Sequence, residues 1–359
     1  MRRFRLLLIL LLMIGLAPGT WLRTHIPPPD YGAPLRIAPL EMDVLAASQA
    51  VKGDVELLGA WKLTSNNAHF GGYSALVDLA PNQGDGRLLS GSDRGRLLEL
   101  PLPQNADPAT SVRFDYFAST NGGPKIYADI EALEYDPATG FVWGSYEDLG
   151  RVDRFKLDAV QRITSSVIVG AMQNWPDNGG PETMVRLADG RFMIIAEASK
   201  SGSSTRSGLM FAGDPLSSPP PRRFRFAPPE GYSPVDATLL PDGRVMILVR
   251  KVIWGLPPQF ATALVLADPS DIQVFGPAKP KAGQKNPWTG DMIAQIGGPD
   301  LEENFEGIAA IEQEDGSVDL YLIADDNLSA FQETLMLRLN WEPPVSSKTN
   351  SEAGNTPKE

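Results

Sequence analysis

The residues best suited to chemistry are carboxylates that recur at the ends of short apolar runs. The stretch "NFEGIAAIEQEDGSVDLYLIADDN", residues 304–327, opens on Glu306, turns at Asp315-Gly316 and closes on Asp325-Asp326-Asn327. The same plan recurs in "IEALEYDPATGFVWGSYE" (Glu131 to Glu147) and "PETMVRLADGRFMIIAE" (Glu182 to Glu197). It recurs again in "VDATLLPDGRVMILVR" (Asp236 to Arg250) and, with a serine opener, in "YSALVDLAPNQGDGRLLSGSD" (Ser74 to Asp93). Carboxylates gathered within a few ångströms cannot all stay ionised unless a proton, an arginine or lysine, or a bound cation compensates them. Oxygen donors without cysteine and with almost no histidine suit a hard ion such as Ca²⁺. The candidate ligands are Glu131, Glu147, Glu182, Glu197, Asp236, Glu306 and Asp325, with Asp129, Asp326 and Asn327 near enough in sequence to add oxygens.

Calcium held there would bind a phosphate or carboxylate of a substrate and polarise it for attack by water. A carboxylate left outside the coordination shell, Glu306 or Glu182, is the candidate general base. Basic residues fall just beyond the same hairpin ends: Arg94, Arg96, Lys125, Lys200, Arg250 and Lys251. Arg94, Lys200 and Arg250 are the candidates to receive an anionic substrate. Arg250 also stands where other units carry an acid, so it should neutralise its neighbours. For any single carboxylate, capping a neighbouring backbone N–H or pairing with an arginine is an equal reading, because structural ion pairs perturb acids as active sites do. The shared register of the set is what favours a site. Trp175, near the same region, reads as a packing residue.

The element that must position these residues is a hairpin, whose second strand returns to the end where the first began. Opener and closer therefore lie side by side. The units start at 74, 131, 182, 236 and 306. Repeats of that length, each a hairpin plus outer strands such as "GLMFAGD" and "ATALVLAD", predict an all-β fold, a β-propeller whose acidic hairpin ends ring one mouth of a central channel. The roughly 300 residues from 41 to 341 predict six blades of about 50 residues, with the sixth hidden in the long 236–306 step; a ring of five is the alternative. "VELLGAWKLT" (55–64) is placed to close the ring by pairing with C-terminal strands, which removes exposed edges.

Composition agrees with this plan and narrows the chemistry. Hydrophobic residues make up 42%, and Gly 34 with Pro 32 suits many strands joined by tight turns. The net charge of -12 excludes nucleic acid as the expected partner. No cysteine is present, so disulfides, thiolate nucleophiles and cysteine-based metal sites are excluded. With only His25 and His69, a histidine-rich metal site or a paired-histidine phosphatase is not expected, and no G-x-S-x-G elbow accompanies His69.

The N-terminus, "MRRFRLLLILLLMIGLAPGT", places three arginines before an apolar run from Leu6 to Leu16. This predicts an export signal, or a short membrane anchor, over residues 1–24, and a periplasmic or outer-face location. Residues 25–40, with "HIPPPDYGAP", read as a linker, 41–341 as the propeller and 342–359 as a disordered tail.

"NFEGIAAIEQEDGSVDLYLIADDN" with "LSAFQETLMLRLNW" resembles the C-terminal signature of the phytase-like family ("esterase-like activity of phytase") of exported bacterial proteins. "PPRRFRFAPPEGYSPVDATLLPDGRVMILVR" and "GGYSALVDLAPNQGDGRLLSGSDRGRL" resemble its middle and its opening, so the likeness covers about residues 55–341. The resemblance implies a propeller, export and hydrolysis of phosphate or carboxylate esters with calcium. Where the family pattern places an acid before a basic pair, this chain reads Leu248-Val249-Arg250-Lys251, which departs from a fully acidic ring. Three functions remain open: a monomeric calcium-assisted hydrolase of an anionic or esterified small molecule, a non-catalytic envelope propeller that binds a ligand or partner at the same mouth, and a lactonase-type enzyme.

Overall fold

The structure, a computed structural model, describes residues 34–42, 49–67, 69–79, 86–106, 113–116, 129–147, 149–157, 163–176, 178–255, 259–276, 286–298, 300–328 and 331–344. The leader (1–24), His25, Lys125 and most of the tail (345–359) lie outside them. The described strands form five antiparallel sheets arranged as the blades of one ring.

Three blades have four strands each. Blade one contains β4 (Tyr73–Asp78), β5 (Arg87–Ser92), β6 (Arg96–Pro101) and β7 (Arg113–Tyr116). Blade two contains β8 (Ile130–Asp136), β9 (Phe141–Tyr146), β10 (Arg151–Lys156) and β11 (Ile163–Ile168). Blade three contains β12 (Pro181–Arg186), β13 (Phe192–Ala196), β14 (Arg206–Phe211) and β15 (Arg222–Phe226).

The last two blades recruit the N-terminal segment. Blade four orders β16 (Ser233–Leu239), β17 (Val245–Ile253), β18 (Gln259–Ala267) and β19 (Asp291–Ile296), and adds β2 (Val51–Gly53) at its edge. Blade five orders β20 (Asn304–Glu312), β21 (Val318–Asp325) and β22 (Leu335–Trp341), then β3 (Val55–Ser65) and β1 (Leu35–Pro39). The expected closure is present, since β3 pairs with β22 from Lys62↔Leu335 to Val55↔Trp341. The strand β1 lies within the stretch read from the sequence as linker.

The ring has five blades, not six. The long 236–306 step contains no further sheet among the described residues. It is used by the nine-residue strands β17 and β18 and by a return segment that lies along the outer edge of blade three. There Phe275 and Arg223 exchange backbone hydrogen bonds of 2.7 and 2.9 Å, and Trp288 N–H donates to the Arg225 carbonyl at 2.8 Å. The Trp288 ring is buried against Phe224 and Phe226, with centroids 6.1 and 5.4 Å away.

A single strand pair cannot bury both of its faces, and the alternation of each strand sends apolar side chains towards the blades on either side. Five buried clusters result, one at each blade–blade interface. Between blades four and five, for example, Val235, Met246, Leu248 and Leu264 meet Phe305, Ile308, Leu320 and Leu322. Each fully buried aliphatic side chain contributes about 1.5–3 kcal/mol. The inner hairpins turn as their sequences predict: Gly243 (φ 86°) and Gly316 (φ 84°) sit in the left-handed region that glycine enters freely. The preceding aspartates brace the turns, with Asp242 accepting from Arg244 N–H and Asp315 from Ser317 N–H, both at 2.9 Å.

Candidate functional site

The strands β4, β8, β12, β16 and β20 line the axis, and each begins with the same irregularity. The register of the inner hairpin slips by one residue between Tyr73/Ala75, Ile130/Ala132, Pro181/Thr183, Pro234/Asp236 and Phe305/Gly307. A bulge leaves one residue unpaired and re-aims its side chain. The bulge residues are therefore equivalent around the ring: Ser74, Glu131, Glu182, Val235 and Glu306. The residue that follows the partner of the residue just before the bulge is equivalent too, giving Asp93, Glu147, Glu197, Arg250 and Asp325. Opposite these stand Gly72, Asp129, Gly180, Ser233 and Asn304.

This register sorts the sequence candidates. Glu131, Glu147, Glu182, Glu197, Glu306, Asp325 and Arg250 meet at one mouth, as their mutual charge effects show. Asp236 does not join them. Val235 holds the bulge position and packs into the core between blades four and five. Asp236 lies one residue further along, buried, and accepts from Ala237 N–H at 2.8 Å and Ile308 N–H at 2.9 Å. It ties the inner strands of blades four and five together, so its place is structural. The sequence alignment of openers was off by one in this unit because a bulge leaves no mark in the residue pattern.

Blade two is the acidic corner. It alone places carboxylates at all three equivalent positions, and one oxygen each from Asp129, Glu131 and Glu147 lies within 4.8 Å of the others. Burial raises the Glu131 pKa well above the carboxylate range, and Asp129, Glu182, Glu147 and Glu306 push it the same way. Burial likewise raises Glu182, with Glu197 adding to it and Arg250 opposing. Among the described residues no hydrogen bond reaches the carboxylate of Glu131 or of Glu182. Glu147 is partly committed, since its Oε1 accepts from the N–H groups of Gly179 and Gly180 at the start of blade three.

The opposite side of the mouth is compensated. Arg250 donates to Glu197 Oε1 at 2.8 Å, and its other terminal nitrogen reaches both Glu306 Oε1 and Asn304 Oδ1. Burial works against its charge, but Glu306, Glu197 and Glu182 outweigh this and raise its pKa. Asn304 Nδ2 also donates to Glu306 at 2.9 Å. Glu306 remains raised, by burial first, while Arg250 pulls it down. Burial and the charges of Glu306 and Asp93 raise Asp325 well above its usual range.

The remaining candidates take other roles. Asp326 accepts from Gly72 N–H at 3.0 Å and Leu328 N–H at 2.9 Å, joining blade five to blade one. Asn327 enters the left-handed region (φ 48°) and gives its N–H to Asp325 at 2.6 Å. Arg94 (half-buried, in the β5–β6 turn) and Lys200 (exposed, in the β13–β14 loop) stand at the same end of the molecule as the mouth, and among the described residues neither side chain is bonded to a ring carboxylate. Arg96 is buried and donates to His69 Nδ1 at 3.1 Å. Lys251 is exposed beside the Tyr232 ring. Trp175 packs in the core between blades two and three.

Two participants escaped the sequence reading. Asn304 begins the "NFEGI" stretch at the position where blade two has Asp129. Arg206 donates to the Glu197 carbonyl and to Ser233 Oγ at 3.2 Å, holding blades three and four together below Arg250. No periodic signal marks it.

A closed five-bladed ring whose bulged inner strands turn carboxylates into one mouth defines a propeller with an acidic axial site. The chain belongs to the phytase-like family: the model of that family described as "Esterase-like activity of phytase" matches residues 68–328. No curated protein sequence matches it. Among solved structures it is similar to the WD40 domain of Toxoplasma gondii coronin, with 9% identity, coverage of 90% of each chain and a TM-score of 0.38. The Myceliophteria thermophila Cps50 (Swd1) β-propeller domain gives 11% identity, 84% and 98% coverage and a TM-score of 0.34. The Podospora anserina α-L-arabinofuranosidase PaAbf62A, solved with cellotriose, gives 15% identity, 77% and 93% coverage and a TM-score of 0.44. Scores this low carry nothing towards function.

Proposed function

We propose that the protein is an exported phytase-like hydrolase that cleaves a phosphate or carboxylate ester at the acidic mouth, with a calcium-type cation held by Asp129, Glu131 and Glu147. The observation that carries this reading is the convergence of those three carboxylates, whose oxygens lie within 4.8 Å of one another. The donor set fits a hard ion: all oxygen, on adjacent strands, with Glu131 repelled by four acids and Glu147 braced by two backbone N–H groups. When bound, such an ion supplies the positive charge that attracts the ester and polarises its phosphoryl or carbonyl oxygen.

The chain's own residues divide the other tasks. Arg250, pinned by Glu197 and Glu306, offers an oriented cation to an anionic oxygen of the substrate. Glu182 is the better base of the two acids selected from the sequence, because Glu306 is engaged by Arg250 and Asn304 while the Glu182 carboxylate accepts no hydrogen bond among the described residues. A base raised towards neutrality is matched to its task. Ionised Glu182 takes a proton from water as the water oxygen bonds to phosphorus or carbonyl carbon. The ester oxygen then leaves with its electron pair and takes that proton from Glu182.

Calcium titration of the purified chain by calorimetry tests the site, followed by assays on phytate, p-nitrophenyl phosphate and short acyl esters. Calcium binding that is lost in Glu131→Gln, with turnover lost in Glu182→Gln, supports the reading. Absence of calcium binding by the wild type removes the cation. Calcium binding with no turnover of any of the three substrate types turns the proposal into a ligand-binding propeller of the envelope.

A further inference from the structure

The large apolar side chains left in water are not spread evenly over the ring. Five of the seven exposed among the described residues lie at the mouth end: Ile168, Val252, Ile253, Trp254 and Phe331. Ile168 pairs with Arg151, itself opposite Tyr146, the residue before Glu147. Phe331 lies on the connection from Asp325 to β22. Val252, Ile253 and Trp254 continue β17 past Arg250. There the β17–β18 ladder runs on to Ile253↔Gln259, whereas pairing with β16 stops at Arg250 and pairing with β19 stops at Thr262. Trp254, 90% exposed, is carried about 13 Å along the strand from Arg250, at 3.3 Å per residue. Single apolar residues on a surface are ordinary. Three in succession on a hairpin that outruns its sheet, with two more at the same end, mark an interaction surface.

The path of the chain indicates what that surface meets. Leu63 N–H donates to the Thr334 carbonyl at 2.9 Å, and Thr334 Oγ1 donates to Asp326 at 3.1 Å, so β3 ends at the mouth. Ser65 Oγ donates to the Pro34 carbonyl at 3.0 Å, which brings the chain into β1 from that same end. The apolar run Leu6–Leu16, read from the sequence as an export signal or short anchor, therefore joins the ring on the mouth side. As a tether, residues 17–33 would reach no more than about 60 Å. The residue types agree. Lys251, at the base of the hairpin, lies 6.0 Å from the Tyr232 ring; lysine, tyrosine and tryptophan are the side chains that settle at headgroup level. The apolar tips stand on blades two, four and five with polar residues between them, an arrangement that a fluid surface accommodates. The net charge of -12 offers no general attraction to anionic lipid.

We propose that the mouth end docks on a zwitterionic lipid bilayer, with Val252, Ile253 and Trp254 seated at the headgroup–acyl boundary and the acidic mouth opening onto the membrane. The chain has no cysteine, so Ile253→Cys, Phe331→Cys and Met292→Cys can each carry a single fluorophore in the full chain. Met292 is exposed too, but lies towards the other end of blade four, opposite Val265. The vesicles are phosphatidylcholine with a nitroxide high on the acyl chain, matching the depth of about 5–10 Å at which interfacial apolar surface lies. The first two labels should be quenched at least about threefold more than the third, and the difference should survive about 0.5 M salt, where exposed charges are screened. Trp254→Asp, added to Ile253→Cys, should cut that quenching at least about threefold.

Equal quenching at all three positions would mean a tether without a docked face, and overturns the proposal. Quenching that salt removes, or that Trp254→Asp leaves unchanged, does the same. A spectral shift that needs no vesicles and grows with protein concentration assigns the rim to a second copy of the chain. Labels left unquenched in every vesicle assign it to a protein partner, and either result overturns the lipid. None of these readouts involves turnover, so the docking stands or falls apart from the reading of the mouth as an ester site.

Discussion

The two ends of the axial channel place the same residue type in opposite circumstances. At the acidic mouth, Glu131 is half-buried and Glu182 buried, and among the described residues no hydrogen bond reaches either carboxylate. At the other end, beside a cavity of about 230 Å³, Glu134 accepts from Arg186 N–H at 3.0 Å, and in the channel wall Asp236 accepts from two backbone N–H groups. Burial raises all four pKa values, that of Glu134 to about 8. What separates the ends is satisfaction. The lower acids have fixed backbone donors and act as ties between blades, whereas the upper acids face one another without such donors among the described residues. Burial of an acid therefore says little about its role until its donors are counted.

The largest test of this contrast is Arg250→Met. It takes the ion-pair partner from the half-buried Glu197 and Glu306, of which Glu197 keeps Arg206 nearby. Breaking a fully buried pair costs roughly 3–5 kcal/mol, so a loss somewhat below that is expected. Thermal unfolding should show it, and added calcium should recover part of the loss if the freed acids join the cation site. Asp236→Ala comes next. It strips the partners from Ile308 and Ala237 N–H, at about 1–3 kcal/mol for each buried group left unsatisfied. A melting temperature unchanged by Asp236→Ala would mean that the lower end is not structural.

The pH dependence follows from the raised carboxyl groups. Glu134 loses its proton near 4.5 in the unfolded chain, while the folded protein holds it until about pH 8. Between those values the unfolded state binds fewer protons, so stability falls as pH rises and levels off above the folded pKa. Glu131, Glu182, Glu306, Asp325 and Asp236 have the same sign. Chemical denaturation from pH 5 to 8 should show declining stability without calcium. In Glu134→Gln the slope should lessen by at most about 1.4 kcal/mol per pH unit. Calcium should flatten the slope due to Glu131 and leave that due to Glu134.

Glu131→Gln should weaken calcium binding at least about tenfold, or 1.4 kcal/mol, and slightly stabilise the cation-free protein by removing one of the crowded acids. The smallest effect belongs to Thr262→Val, which removes an unpartnered hydroxyl and should raise stability by about 1 kcal/mol. A fall of that size would show that Thr262 Oγ1 is already satisfied.

The hairpins were legible because their signals are local. Asp-Gly turns at 242–243 and 315–316 and runs such as "DLYLIAD" need only neighbours in sequence to declare themselves. The polar ends of four of the five units were found at their true positions for the same reason. Asp236 was misassigned because the bulge depends on how β16 pairs with β17, which shifts the alignment by one without altering the residue pattern. Six blades were expected because length was divided by a mean repeat, and nothing in the sequence around Phe275 and Trp288 says that these residues bond to the edge of blade three.

By itself, the sequence determined an all-β propeller, its closure by the 55–64 strand, and a recurrent acid at four of the five inner hairpin ends, because alternation, turn chemistry and repeat spacing are properties of the chain. Only the tertiary structure decided the number of blades, the bulge that turns Glu131, Glu182 and Glu306 into the mouth, and the gathering of Asp129, Glu131 and Glu147 at one corner. Those depend on register and on contacts between residues far apart in sequence, and such distances exist only once the ring has closed.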